Sequence, residues 1–404
     1  MTAGDNSGTR IAWLIAGDEI AGVAQAVRGL TGAVRTSGIE PVIIALHEGP
    51  FCDTMRSLGF AIHVLNVEPL PVLFGGLPNR VRLQLRIHRS SAAIRPGLAA
   101  TLRRLEVKGI HAVWRNLMPL AAMAAWDAGT VCFWEMSNIM GHYPLAINRR
   151  MTQHTLRKWH VTALANSNYT AATLGDRPVK PIVMYLGADE QRFDPKRADF
   201  VTRAELGIPT DAVVLGIFAR VKPAKGHAQI VQAMTQLPAA HANSHLLLPG
   251  GPAEGGFADE LRALAAQLGV SDRLHLIGSV PDPERYYGIV DLPINARIDP
   301  EPFGLSVVEA MMMSKPVLVH ALGGPAETVV DGVTGWHVNE PTVEGFKNGL
   351  LRALGDREKW AAMGAAARAR ALEHFSLSRQ AKQYVEIVRK RLGERSTDYT
   401  DRTD

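Results

Sequence analysis

The chain has 404 residues, 47% of them hydrophobic and 21% charged, which excludes a disordered polypeptide and exceeds what one ordinary core accommodates. Lys plus Arg (44) outnumber Asp plus Glu (39) by five, and only Cys52 and Cys132 occur, without CxxC spacing, which excludes a disulfide framework or structural zinc and predicts two small buried apolar residues. No apolar run reaches the roughly 18 residues of a membrane-spanning helix, and residues 1–10 lack the apolar stretch of a secretory signal, so a cytoplasmic protein is expected.

Along the chain, short apolar runs alternate with amphipathic stretches, the pattern of repeated β-α units. Strands are predicted at 11–16, 41–46, 61–65, 110–114, 131–134, 162–165 and 182–185, with helices between them such as 20–36 and 80–108. Residues 188–210, rich in Asp and Pro, read as a linker. The pattern then restarts with strands at 213–218, 245–248, 273–277, 291–294, 316–319 and 335–338, and helices including 225–236 and 257–268. Two helical patterns, 356–375 and 377–392, follow with no further strand, and 394–404 is a polar tail expected to be disordered. Continuous Val/Ile/Leu strands joined by helices imply an α/β fold with parallel sheets covered on both faces. Two doubly wound domains facing across a cleft are therefore expected: 1–190, then 191–375, with 376–393 packing back on the first.

The segment Glu301-Pro-Phe-Gly-Leu-Ser-Val-Val-Glu309 places one carboxylate in a loop after a strand and the second inside the helix starting near Gly304. Carboxylates accept from both hydroxyls of a vicinal diol, and the amides of Gly304, Leu305 and Ser306 are the donors that a helix N-terminus leaves unpaired. Arg220, Lys222 and Lys225 cluster directly after the strand 213–218, which suits a diphosphate. Gly-rich stretches at 248–256 and 322–327 read as turns, and Met311–Met313 as core.

These residues resemble a known family. The E-x7-E spacing of Glu301 and Glu309 is that of retaining glycosyltransferases of the GT-B fold, particularly family four, and residues 301–338 are similar to its signature throughout. Leu276 to Val280 looks like its base-binding strand end, and Tyr185 to Phe193 like its inter-domain segment, with Leu186 where Asn is usual. The resemblance implies a nucleoside-diphosphate-sugar donor, a UDP- or GDP-sugar, and no bound cofactor. It implies that Arg220 and Lys225 clamp the diphosphate, that Glu309 accepts from the ribose, and that Glu301 contacts the transferred sugar. Backbone at Phe303, Gly304, Leu305 and Ser306 would lie near sugar and phosphates, and backbone at Val280 near the base. Gly22 resembles the glycine of the loop after the first strand. Where many relatives carry a cleft histidine, this chain has Trp134 followed by Glu135, and His142 is the nearest histidine; an exposed loop histidine is the other reading. The chain contains no D-x-D, so no essential metal is expected.

Residues 78–108 hold eight basic residues against Glu106, a net +7, so the remaining residues together sum to −2. Leu83, Leu85, Ile87, Ile94, Leu98 and Leu102 interleave with them. Such a strip suits an anionic membrane surface, as on the inner face of the plasma membrane, and equally a solvated helix; no nucleic-acid module accompanies it. A saccharide or lipid-linked acceptor fits the first reading. A sugar-nucleotide epimerase of similar double fold, or a non-catalytic sugar-nucleotide or membrane-binding module, stands as the alternative function.

Overall fold

Unbroken Val/Ile/Leu runs are satisfied only where both faces of a strand are covered, and the structure places them in parallel sheets flanked by helices. The computed structural model describes residues 8–19, 21–71, 77–141, 147–197 and 199–398. They form two units: the first takes the described residues up to Gly187 together with the segment from Leu377, and the second is Ala188–Ser376.

In the first unit the order is β1 (Thr9–Ile15), α1 (Ala21–Arg35), β2 (Ile39–Ala45), α2 (Pro50–Ser57), β3 (Ile62–Val64), α3 (Leu77–Arg104), β4 (Gly109–Ala112), α4 (Met118–Ala128), β5 (Val131–Met136), α5 (Ile147–Lys158), β6 (Val161–Ala165), α6 (Asn168–Leu174) and β7 (Ile182–Val183). The strands lie parallel in the order β3-β2-β1-β4-β5-β6-β7. Alternate residues of β1 serve opposite cores: Ala12 and Leu14 pack with Leu98, Leu102 and Leu120 of α3 and α4, and Ile11, Trp13 and Ile15 with Val27 and Leu30 of α1. Residues 118–125 of α4 are all buried, as expected for a helix apolar on every side.

The second unit runs β8 (Val213–Gly216), α7 (His227–Thr235), β9 (Ser244–Pro249), α8 (Phe257–Gln267), β10 (Leu274–Gly278), α9 (Glu284–Tyr287), β11 (Leu292–Asn295), α10 (Leu305–Met312), β12 (Val317–His320), α11 (Pro325–Thr328), β13 (Gly335–Val338), α12 (Val343–Gly355) and α13 (Trp360–His374). Its strands are parallel in the order β10-β9-β8-β11-β12-β13. Both orders reverse beside the first strand of the unit, between β1 and β4 and between β8 and β11. That reversal opens a crevice at the carboxyl ends of the two strands, the usual place for a ligand in such sheets. Met311, Met312 and Met313 are buried core, as are both free cysteines, where burial pushes each thiol pKa up.

Several sequence expectations need correction. Residues 188–210 are not a loose linker but part of the second unit. Phe200 fills the space a side chain at Gly288 would need, Val201 N donates to Arg285 O at 3.1 Å, and Arg203 pairs with Asp291 at 2.8 Å. The two final helices are divided between the units: α13 belongs to the second, against α10, and α14 (Leu377–Asp398) to the first. That helix continues through 394–398, which were expected to be disordered; 399–404 lie outside the described residues. The basic strip changes most. Its leucines and isoleucine at 83, 87, 98 and 102 are buried core against α4, and Arg95 is paired with Asp127. Among the described residues of the strip, Leu85, 53% exposed, is the one large apolar side chain left exposed, near Arg82, Arg86 and Arg89 in sequence.

The attachment of α14 rests on Ala381, Tyr384, Val385 and Val388, which enter the same core as Trp13 and Phe133. The Tyr384 ring is fully buried and lies 5.5 Å from that of Trp13, and its hydroxyl pairs with His111 Nδ1 at 3.1 Å. Tyr384→Ala is expected to destabilise the first unit by about 3–5 kcal/mol through cavity formation and an orphaned His111. Tyr384→Phe, which keeps the ring, should cost about 1 kcal/mol. Urea denaturation followed by tryptophan fluorescence checks both values.

Candidate functional site

The loop after β8 carries Arg220, Lys222 and Lys225, and its course is set by close backbone approaches. Val221 N donates to Gly251 O at 2.9 Å, and Gly250 has no room for a side chain because Ala219 O would lie 2.0 Å from it. Gly226, at φ +75°, ends the tight turn Pro223–Lys225. A Cβ there would sit 1.9 Å from Ala296 O at the end of β11, and Ile298 N donates to Ala224 O at 3.1 Å. The loop after β8 therefore rests directly on the loop after β11. His227 adds a further tie: burial lowers its pKa to about 4, so the neutral ring can direct an Nδ1–H at Lys222 O, 3.3 Å away.

That contact brings together side chains 76 positions apart. Lys225 Nζ lies 2.7 Å from Glu301 Oε2, and Arg297 Nη1 lies 3.1 Å from Glu301 Oε1. Arg297 also spans Asp299 through Nε at 2.7 Å, and its carbonyl lies 2.6 Å from His320 Nδ1 at the end of β12. Burial opposes the Arg297 charge, but Asp299 and Glu301 together hold its pKa above the ordinary value; the guanidinium in turn holds the Asp299 carboxyl below its own. The Glu301 backbone is fixed as well. Its N–H donates to Leu322 O at 3.1 Å, its carbonyl accepts from Gly324 N at 2.8 Å, and Gly323, at φ +95°, leaves no space for a Cβ against that carbonyl. The 322–327 turn thus locks the acid in place.

Beyond Glu301, Gly304 at φ +86° is the N-cap of α10 and has no side chain to bond the first helical amides. Leu305 and Ser306 are half-buried there, and the Phe303 side chain is buried near Phe375. One helical turn on, Glu309 is 5% exposed, and burial raises its pKa to about 7 despite the opposing charge of Arg192 and a hydrogen bond from Tyr287. The Tyr287 hydroxyl lies 3.3 Å from Glu309 Oε2 and 3.0 Å from Ser306 O, and its ring stacks on Phe218 at 3.6 Å. Arg192 pairs with Glu284 at 2.8 Å and donates to Pro281 O at 2.8 Å, next to half-buried Val280. Arg220 and Lys222 are exposed, and neither makes an ion pair among the described residues.

The second unit therefore gathers Arg220, Lys225, Glu301 and the start of α10 around its crevice, and sets Val280 and Glu309 beside Arg192. Sequence reasoning missed Arg192, Tyr287, Glu284 and Arg297. Arg297 stands four residues before Glu301, and that i, i+4 spacing was the one signal available. In the first unit the outcome differs. Gly22 is not in the loop after β1 but is the second residue of α1, exposed and with open space around it. The loop itself is held by Glu19, which accepts from Ala16 N at 2.6 Å, Gly17 N at 3.0 Å and Trp114 Nε1 at 3.0 Å. Glu135 does not stand open to an acceptor: it is 4% exposed, with its carboxylate 3.4 Å from His111 Nε2 in the aromatic core under α14. His142 lies outside the described residues.

Two Rossmann-like parallel-sheet units of these strand orders define the GT-B class. Residues 199–370, most of the second unit, match the family described as Glycosyl transferases group 1. The chain is 28% identical over 335 residues to a lipopolysaccharide core biosynthesis mannosyltransferase of Rhizobium leguminosarum bv. viciae, covering 79% of this chain and 91% of that protein. It is 32% identical over 203 residues to a D-inositol 3-phosphate glycosyltransferase of Nocardia farcinica, 46% of this chain and 45% of that one. Among solved structures, the Anabaena protein HepE in complex with UDP and glucose superposes with a TM-score of 0.76 at 22% identity, covering 94% of this chain and 98% of that chain.

Proposed function

We propose that the protein is a retaining glycosyltransferase of family four that moves a sugar from a UDP- or GDP-sugar to a hydroxyl acceptor. The observation that carries this reading is the Lys225–Glu301 pair at the β8/β11 crevice, in the loop that also carries Arg220, which makes no ion pair among the described residues, and ahead of the α10 start, whose N-cap is Gly304. As the bond from sugar to phosphate breaks, the sugar becomes oxocarbenium-like and the diphosphate gains negative charge. Arg220, Lys225 and the α10 amides stabilise that leaving group, Glu301 accepts from the sugar hydroxyls, and Glu309 accepts from the ribose. Val280 offers backbone to the base. These cations stand where other glycosyltransferases place a metal, so EDTA is expected to leave transfer unchanged; reversible loss restored by Mg²⁺ or Mn²⁺ overturns that role.

The named activities of relatives, among them the lipopolysaccharide core mannosyltransferase and a GDP-mannose-dependent phosphatidylinositol mannoside mannosyltransferase, support an acceptor built on a lipid-linked saccharide. Membrane contact through Arg82, Leu85, Arg86 and Arg89 fits such an acceptor, although the buried face of α3 leaves only this short patch for it. The deciding experiment is incubation with UDP- and GDP-sugars, with and without saccharide acceptors, followed by NMR of the product. Transfer with the donor's anomeric configuration kept supports the reading. Inversion overturns the mechanism, and donor epimerised without acceptor overturns the function.

A further inference from the structure

The first unit contains a second concentration of cations that the donor site does not use. Arg149, Arg150, Gln153, His154 and Arg157 of α5, with Arg177 and Pro178 of the turn before β7, line a pocket of about 390 Å³. That volume lies in the range of small-ligand pockets, about 300–1,000 Å³. It lies beside the turn that leads into β7, the edge strand of the sheet, three strands from β4.

The pocket is built rather than incidental. Gln153 is 4% exposed, and its amide joins α5 to the turn: Nε2 donates to Leu174 O at 3.3 Å and Val179 O at 2.9 Å, and Oε1 accepts from Val179 N at 2.9 Å. This tie holds Arg177 against the α5 arginines. The clustering is locally unfavourable. Arg149 and Arg150 lie in the first turn of α5, where the helix dipole disfavours cations and where no acid occurs. Arg150 and Arg157 stand two turns apart on the same face of α5, with His154 between them. None of Arg149, Arg150, Arg157 and Arg177 has an ion pair or hydrogen bond among the described residues, and Asp176 is the single acid in the turn. Exposed cations gathered in this way without an internal acid are open to an external anion.

We propose that this pocket is a second anion site, which binds a ligand through two adjacent phosphates, as in a pyrophosphoryl group. A terminal phosphate carries about −1.5 to −2 and the bridging one about −1, so a pyrophosphoryl group comes closer to matching four guanidinium groups than a single phosphodiester does. The remaining volume takes the sugar or alcohol that such a group esterifies. The site is independent of the donor reading, because no residue is shared.

The test is calorimetric titration of the full chain with inorganic pyrophosphate, comparing wild type, Arg157→Gln/Arg177→Gln and Arg220→Gln/Lys225→Gln. The pocket variant should lose one binding event, with affinity down at least about tenfold from lost charge-assisted hydrogen bonds, while the donor-site variant keeps it. Pyrophosphate binding unchanged in the pocket variant, or absent from the donor-site variant, overturns the proposal. Co-sedimentation with phosphatidylglycerol vesicles separates the sources. Pyrophosphate and vesicle binding lost together assigns lipid-presented phosphates, and loss of pyrophosphate binding alone assigns a free phosphorylated ligand. Loss of vesicle binding alone overturns the pocket in favour of a diffuse surface. Circular dichroism and melting temperature, unchanged in the exposed Arg157→Gln/Arg177→Gln variant, exclude misfolding.

Discussion

Lys225→Ala is expected to lower kcat/KM for sugar transfer by about 10²–10³, most of it in kcat, because the lysine acts on charge that develops only as the diphosphate leaves. Donor affinity should fall less, since Arg220 and the start of α10 still meet the ground-state diphosphate. The fold should survive: the Lys225 side chain is about one quarter exposed, and its partner Glu301 keeps Arg297 at 3.1 Å. Steady-state kinetics with direct donor-binding measurements separate the two effects. A kcat unchanged within twofold removes Lys225 from the leaving-group clamp. Gly226 explains why the geometry is so particular. Any side chain there meets Ala296 O, and the resulting displacement would pull the Lys225 turn off the β11 loop.

Donor affinity is expected to rise with pH through about 7, and the cause is Glu309. Burial raises its carboxyl pKa from 4.5 to about 7, so at pH 6 only about a tenth is ionised and at pH 8 about nine tenths. Ribose hydroxyls donate to the carboxylate form, so the donor should bind about ninefold more tightly at pH 8 than at pH 6. Glu309→Gln should flatten that dependence, and Glu309→Ala should weaken donor binding by about 10–100-fold at pH 8. The stability effect has the opposite sign. A carboxyl whose folded pKa is raised contributes stability that is present below 4.5 and lost as pH rises through 7. Ligand-free protein should thus lose stability mainly between about pH 4.5 and 7, while donor binding strengthens between about pH 6 and 8. Isothermal titration at pH 6, 7 and 8 checks the first effect, and melting temperature without ligand checks the second. A flat donor affinity in the wild type removes the ribose role of Glu309.

The arrangement around Glu309 shows why part of the site could be read before folding and part could not. Spacing reports local geometry: seven residues between two glutamates, a glycine where α10 begins, and cations within one loop after a strand are all short-range relations. Arg192 and the α9 residues Glu284 and Tyr287 come to Glu309 from two other segments of the chain, and no period links either segment to α10. The same limit explains Glu135. The strand was legible only as 131–134, one residue short of Glu135, and the burial of Glu135 beside His111 comes with α14, more than 240 residues later, closing over that face of the sheet.

By itself the sequence determined the alternation of strands and helices, the restart near residue 213, and the pair of acids beside a basic loop, because these follow from periodicities of two and 3.6 residues and from turn chemistry. Only the tertiary structure decided that Lys225 meets Glu301, that the apolar side of the 78–108 strip is used up inside the first unit, and that four arginines of α5 and its neighbouring turn surround one pocket. Each of these depends on strand order and loop-to-loop packing, which bring together residues that local pattern leaves unrelated.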